Sequence, residues 1–163
     1  MKRRVISVIL VIVMLAAMAV APAGALAAKK VKILQVTTSG ARLRQGPSSA
    51  YAVKTSLKKG SKVFYLGKVK NSFAHIRSSN GTEGYMYKGF LKSYGSCYKS
   101  QVYYNKKSSL SVYKKATTHS SKSTKLKKHQ HVIVYQVKGS WAYIKTLNGK
   151  GGYCKASALR KAF

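Results

Sequence analysis

Acidic side chains are almost missing from this chain: Asp+Glu number 1 against Lys+Arg 32 in 163 residues. The one carboxylate belongs to Glu83. Its isolation excludes paired-carboxylate acid–base chemistry, EF-hand calcium loops and a Ser-His-Asp arrangement. There is no His-Glu-x-x-His, and no glycine-rich phosphate loop precedes a helix. Cysteines number 2 and histidines 4. His129-x-His131 puts two imidazoles on one strand face. A metal would need a third ligand, and a solvated strand start is the plainer reading. No metal and no cofactor are expected. Sustained helical periodicity is also absent beyond the N-terminal segment.

What is present is positive charge. The formal net charge is +31, and six of the 32 basic residues are arginine. With almost no ion pairs available, self-repulsion must be relieved by salt or by an anionic partner. Lysine is a hydrated point charge, so this excess suits diffuse attraction to a polyanion better than the forked recognition that arginine offers.

The N-terminus narrows the compartment. "MKRR" is a positive n-region, Val5 to Val20 is an uncharged apolar run, and "APAGALA" follows with Ala25 and Ala27 at small-residue cleavage spacing. Residues 1–27 are therefore expected to be a secretory signal peptide, with an uncleaved membrane anchor as the rival reading. Pro22 and Gly24 would interrupt a spanning helix near its end. Export would make the protein secreted, with no specific nucleic-acid partner expected.

The remainder repeats. Leu57 matches Leu126 and Val63 matches Val132 at an offset of 69. Phe73 matches Trp141, Asn80-Gly81 matches Asn148-Gly149, Gly84-Tyr85 matches Gly152-Tyr153 and Leu91 matches Leu159 at an offset of 68. Matches on Leu, Val, aromatics and turn glycines indicate an internal duplication rather than shared Lys/Ser bias. "KVFYLGKV" and "HVIVYQV" read as strands. "AHIR" and "AYIK" alternate, with Ala74/Ile76 and Ala142/Ile144 on one face. The two Asn-Gly pairs are expected to be two-residue hairpin turns. Cys154 aligns with Met86 at an inward position, where a thiol is usually inert, so cysteine catalysis is not expected.

These residues resemble the bacterial SH3-like (SH3b) domain. Leu43-Arg44-Gln45-Gly46-Pro47, Leu57-Lys58-Lys59-Gly60, Phe73-Ala74-His75-Ile76 and Gly84-Tyr85-Met86 carry the likeness in the first copy. The second copy keeps Trp141-Ala142-Tyr143-Ile144 and Gly152-Tyr153-Cys154. It has Val112-Tyr113-Lys114-Lys115-Ala116 in place of the Arg-x-Gly-Pro opening and His129 in place of Gly60. Its loop after that first strand is expected to be shaped differently. The resemblance implies an all-β fold of two tandem small barrels: residues 30–92, a connector with a first strand of the second copy at 93–108, and a divergent copy at 109–163.

It also implies a non-enzymatic module that binds bacterial cell-wall material, peptidoglycan or anionic wall polymers, with repeats adding avidity. A membrane surface and a separate wall-active enzyme are further candidate partners. The alternative is a diffusely cationic secreted protein that binds membranes or other polyanions, with the barrels as scaffold. Gly46-Pro47 turns the chain out of a strand on which Arg42 and Arg44 face outward and Leu43 inward. Arg44 holds the motif position, and outward aromatics could stack on sugar or peptide. The candidate ligand-binding set is Arg44, Tyr51, Phe73, Tyr85, Tyr87, Trp141, Tyr143 and Tyr153. First and last strands are neighbours in such barrels, so an even cysteine count in an exported chain favours a Cys97–Cys154 disulfide.

Overall fold

The structure, a computed structural model, describes residues 29–163; the expected signal peptide lies outside the described residues. Fourteen strands form two seven-stranded antiparallel sheets. In the first unit these are β1 (Lys30–Val36), β2 (Ala41–Arg44), β3 (Val53–Leu57), β4 (Lys62–Lys70), β5 (Phe73–Arg77), β6 (Glu83–Tyr87) and β7 (Leu91–Tyr98). In the second they are β8 (Val102–Asn105), β9 (Ser109–Tyr113), β10 (Lys122–Lys127), β11 (His131–Lys138), β12 (Trp141–Thr146), β13 (Gly151–Lys155) and β14 (Leu159–Lys161). The first sheet is ordered β3-β2-β6-β5-β4-β1-β7 and the second β10-β9-β13-β12-β11-β8-β14. Each strand of one sheet thus stands where the strand seven later stands in the other.

Each sheet curls over its own core. Leu43, Val63, Ile76 and Met86 are fully buried in the first unit, and Val112, Val132, Ile144 and Cys154 hold the matching places in the second. Alternation along β5 and β12 explains this: Ala and Ile point in while Phe73, His75, Trp141 and Tyr143 point out. A Cβ at Gly84 would come within 2.5 Å of the Arg44 carbonyl oxygen, and one at Gly152 equally close to that of Tyr113. Close strand approach therefore requires glycine at both positions.

A third cluster joins the units. Ile33, Phe64, Val102 and Ile133 are buried together with Val31, Cys97 and Leu147. Phe64 and Ile133 are equivalent positions, as are Ile33 and Val102, so the two units meet through like surfaces, as subunits of a symmetric dimer do. The His131 N–H donates to the Ser79 carbonyl at 2.7 Å, and the Arg77 guanidinium donates to that of Ala162 at 3.0 Å. Phe163 lies edge-on to Phe64, with Arg77 over its ring.

The segment at 93–108 does contain a first strand of the second unit, β8; before it, β7 runs to Tyr98 along β1, and a single 3-10 turn at Lys99–Gln101 joins the two. Three expectations change. The Asn-Gly pairs are not two-residue turns. Ser78 and Thr82 close a five-residue loop in which Gly81 takes φ +92 and Asn80 has no positive φ; Asn80 instead accepts hydrogen bonds from the Ser78 hydroxyl and the Thr82 N–H. The loop at Thr146–Lys150 is bonded the same way, with Gly149 at φ +87. The two-residue turns lie instead at Asn71-Ser72 and Gly139-Ser140.

The loop after β9 is not shaped differently from its counterpart after β2. Gln45 N–H to Ala52, Ser48 to Gly46 and Tyr51 to Ser48 recur as Lys114 to Ser121, Thr117 to Lys115 and Ser120 to Thr117. Backbone bonding sets the loop, and proline is not required. Finally, Cys97 and Cys154 are unpaired. Cys97 belongs to the cluster between the units, whereas Cys154 lies in the core of the second unit, because Cys97 ends the first sheet instead of beginning the second.

Candidate functional site

Two open grooves lie on the outer faces of the sheets. The first, about 570 Å³, runs between the β1–β2 loop and the end of β6, and is lined by Arg42, Arg44, Phe73, Tyr87 and Phe90 among others. Its wall is aromatic: Phe73 stands edge-on to Tyr87 at 5.9 Å, and Tyr87 edge-on to Phe90 at 5.3 Å. The 3-10 turn at Lys88–Phe90 brings Phe90 there. The second groove, about 620 Å³, is lined by Trp141, Tyr143 and Tyr153 with Lys114, Lys115, Lys138, Ala116 and Gln136. Lys155 Nζ sits 4.2 Å from the Trp141 ring centre, and Tyr113 meets that ring edge-on at 5.9 Å. No carboxylate lines either groove.

The structure divides the eight candidate residues. Arg44, Phe73 and Tyr87 come together in the first groove, and Trp141, Tyr143 and Tyr153 in the second. Tyr51 and Tyr85 lie outside both. The Tyr51 ring covers Gly46, where a Cβ would meet its atoms at 2.6 Å, so this glycine leaves room for the ring. Tyr85 stacks on His75 at 4.8 Å. Arg44 has a holding task as well, since its guanidinium donates to the Tyr51 carbonyl at 2.7 Å. Sequence reasoning missed Phe90 and the lysines of the second groove. Lys114 and Lys115 occupy the positions of Gln45 and Gly46 in the first unit, which was the available signal.

The remaining reactive groups are committed elsewhere. Glu83 is ion-paired to Arg77 at 2.6 Å, with His75 at 3.7 Å. Burial pushes both thiols up to about 11, which keeps them protonated and poorly nucleophilic at neutral pH. His131 is buried between the units, where desolvation lowers its pKa, and its Nδ1 hydrogen-bonds the His129 carbonyl at 2.9 Å. That ring is a packing element beside Phe64 and Tyr104.

Residues 39–92 match the family model of the bacterial SH3 domain. No curated protein matches the sequence. Among solved structures the chain is similar to NlpC2 from Trichomonas vaginalis, at 17% identity and a TM-score of 0.33, over 80% of this chain and 48% of that one. It is also similar to NlpC1 from the same organism, at 18% identity and a TM-score of 0.32, over 80% of this chain and 45% of that one. The chain thus spans about half the length of these two proteins.

Proposed function

We propose that this is an exported, non-enzymatic protein that attaches to the bacterial cell wall, with both units acting as SH3-like binding modules for peptidoglycan or anionic wall polymers. The observation that carries the reading is the pair of grooves: each combines aromatic rings with Lys or Arg and has no carboxylate to repel an anion. The bacterial SH3 match over residues 39–92 supports the wall as target, and the shared strand order supports treating the second unit as a divergent copy. Two weak sites in one chain would add avidity. Export rests on the signal-peptide layout of residues 1–27.

The net charge of +31 favours a second reading, in which charge alone holds the protein to membranes or other polyanions. Retention on purified walls, with and without teichoic acid, separates the two as salt is raised. A groove-based site leaves a salt-resistant remainder, and Trp141→Ala lowers it more than replacing the exposed pair Lys127 and Lys128 by alanine. If the lysine changes abolish retention and the Trp change has no effect, charge alone explains it.

A further inference from the structure

The cleft between the units holds exposed rings that neither groove contains. Tyr94 of β7 and Tyr135 of β11 line a cavity of about 290 Å³ between the units, together with Lys145. They are 55% and 53% exposed. Tyr135 is placed by a bulge: Val134 pairs with Ile144 and Gln136 with Tyr143, so Tyr135 is the extra residue. A bulge bends the strand and re-aims its side chains. Here it sends Tyr135 into the cleft and Gln136 into the second groove.

From Tyr135 the rings continue across the sheet. Tyr143 lies 6.3 Å away on β12, and Tyr153 a further 5.1 Å on β13. Tyr153 pairs with Tyr113 on β9, whose ring meets Trp141. Three strand spacings make this track roughly 14 Å long. Cations flank it: Lys62 Nζ lies 3.9 Å from the Tyr94 ring centre, and Lys145 Nζ lies 5.5 Å from that of Tyr135. The second unit contains no acidic residue at all.

We infer that the cleft and the tyrosine track form one extended site for a linear sugar-bearing anionic polymer, with its sugar faces on the rings and its acidic groups toward the lysines. Charge alone does not single out this surface, because lysines are spread over the whole chain. The adjoining tyrosine faces do: they offer rigid amphipathic contact area at little entropic cost. A bare polyphosphate has no apolar face to lay on them. Because Tyr94 comes from the first unit, the site is complete only when both units are docked. The inference rests on the wall-binding reading and adds to it the ligand class and a site spanning both units.

Titration of the protein with two probes of similar length, a sugar-substituted poly(glycerol phosphate) and bare polyphosphate, tests it at moderate salt. Tyr135→Ala and Tyr94→Ala should each weaken binding to the sugar-bearing probe by about tenfold, leaving polyphosphate binding unchanged. Tyr135→Phe should keep most of the affinity, since it keeps the ring face. Equal losses on both probes, or no loss on either, would overturn the site while wall retention of the parent protein still upheld the broader function. Failure of the parent protein to be retained on walls or to bind either probe would sink both.

Discussion

The two units share a strand order and an inward set of apolar residues, yet their equivalent outer faces do different things. On the first, His75, Arg77 and Glu83 form an ion-paired cluster, and Tyr85 is stacked on His75. The same positions in the second are Tyr143, Lys145, Gly151 and Tyr153, which put two half-buried rings and an exposed lysine there with no ion pair. The sole acid of the chain therefore serves to hold Arg77, which reaches across to the last residues of the second unit. The first unit uses this face to dock its partner unit; in the second, Tyr143 and Tyr153 line the outer groove and Lys145 the cleft. Even the turn differs: Val36 and Gly60 of the first unit become Asn105 and His129 of the second, with the same backbone bond at 2.8 Å from the Gly60 or His129 N–H.

Separating the units is the sharpest way to compare them. Phe64 is fully buried in the cluster between them. Phe64→Ala should cost about 3–5 kcal/mol, the usual loss for a large buried aromatic. Calorimetry should show one transition in the parent protein and two in the variant, one for each unit. A single, little-shifted transition in the variant would mean that the units do not stabilise each other through this cluster.

The next effect lies at Asn105. It is fully buried, and its amide donates to the carbonyls of Lys107, Leu126 and Lys127 while accepting from the Lys107 N–H. Asn105→Val reproduces the first unit's residue but strips these partners, which should cost about 1–3 kcal/mol in denaturant titrations. The reciprocal Val36→Asn buries an amide in a pocket built for a methyl pair and should cost a similar amount. If either swap is neutral, the two turns are interchangeable and the comparison between units loses its energetic content.

The recurring glycines, the leucines and the alternating β5 and β12 made the all-β, two-sheet fold legible from the chain. The cluster between the units was not, although its signal was present. Val132-Ile133-Val134 is an unbroken apolar run, the pattern of a strand buried on both faces, and Phe64 follows Val63 in the same way. β7 hid because six of its eight residues are exposed and its pairing with β1 is interrupted by a bulge. Of the candidate site, the outward rings Phe73, Trp141 and Tyr143 could be placed by period-two alternation. Tyr135 could not, because a one-residue bulge shifts everything that alternation assigns.

The smallest effect concerns His129, which adopts φ +61 where the first unit has Gly60 at φ +86. A side chain in this region costs about 1–2 kcal/mol. Glycine there would relieve that strain but lose about 0.5–1 kcal/mol through the freedom of the unfolded chain. Neither of this residue's backbone bonds depends on the imidazole: its N–H still reaches Asn105, and its carbonyl still meets His131. His129→Gly should therefore stabilise the second unit by up to about 1 kcal/mol. Gly60→Ala should cost the first unit about as much, purely through the backbone, because the nearest atom to an added Cβ is Gln35 Nε2 at 4.0 Å. Thermal unfolding of both variants in the Phe64→Ala background would assign each shift to its own transition. A loss of stability in His129→Gly would show that the ring, 6.0 Å from that of Tyr104, contributes more than its strained backbone costs.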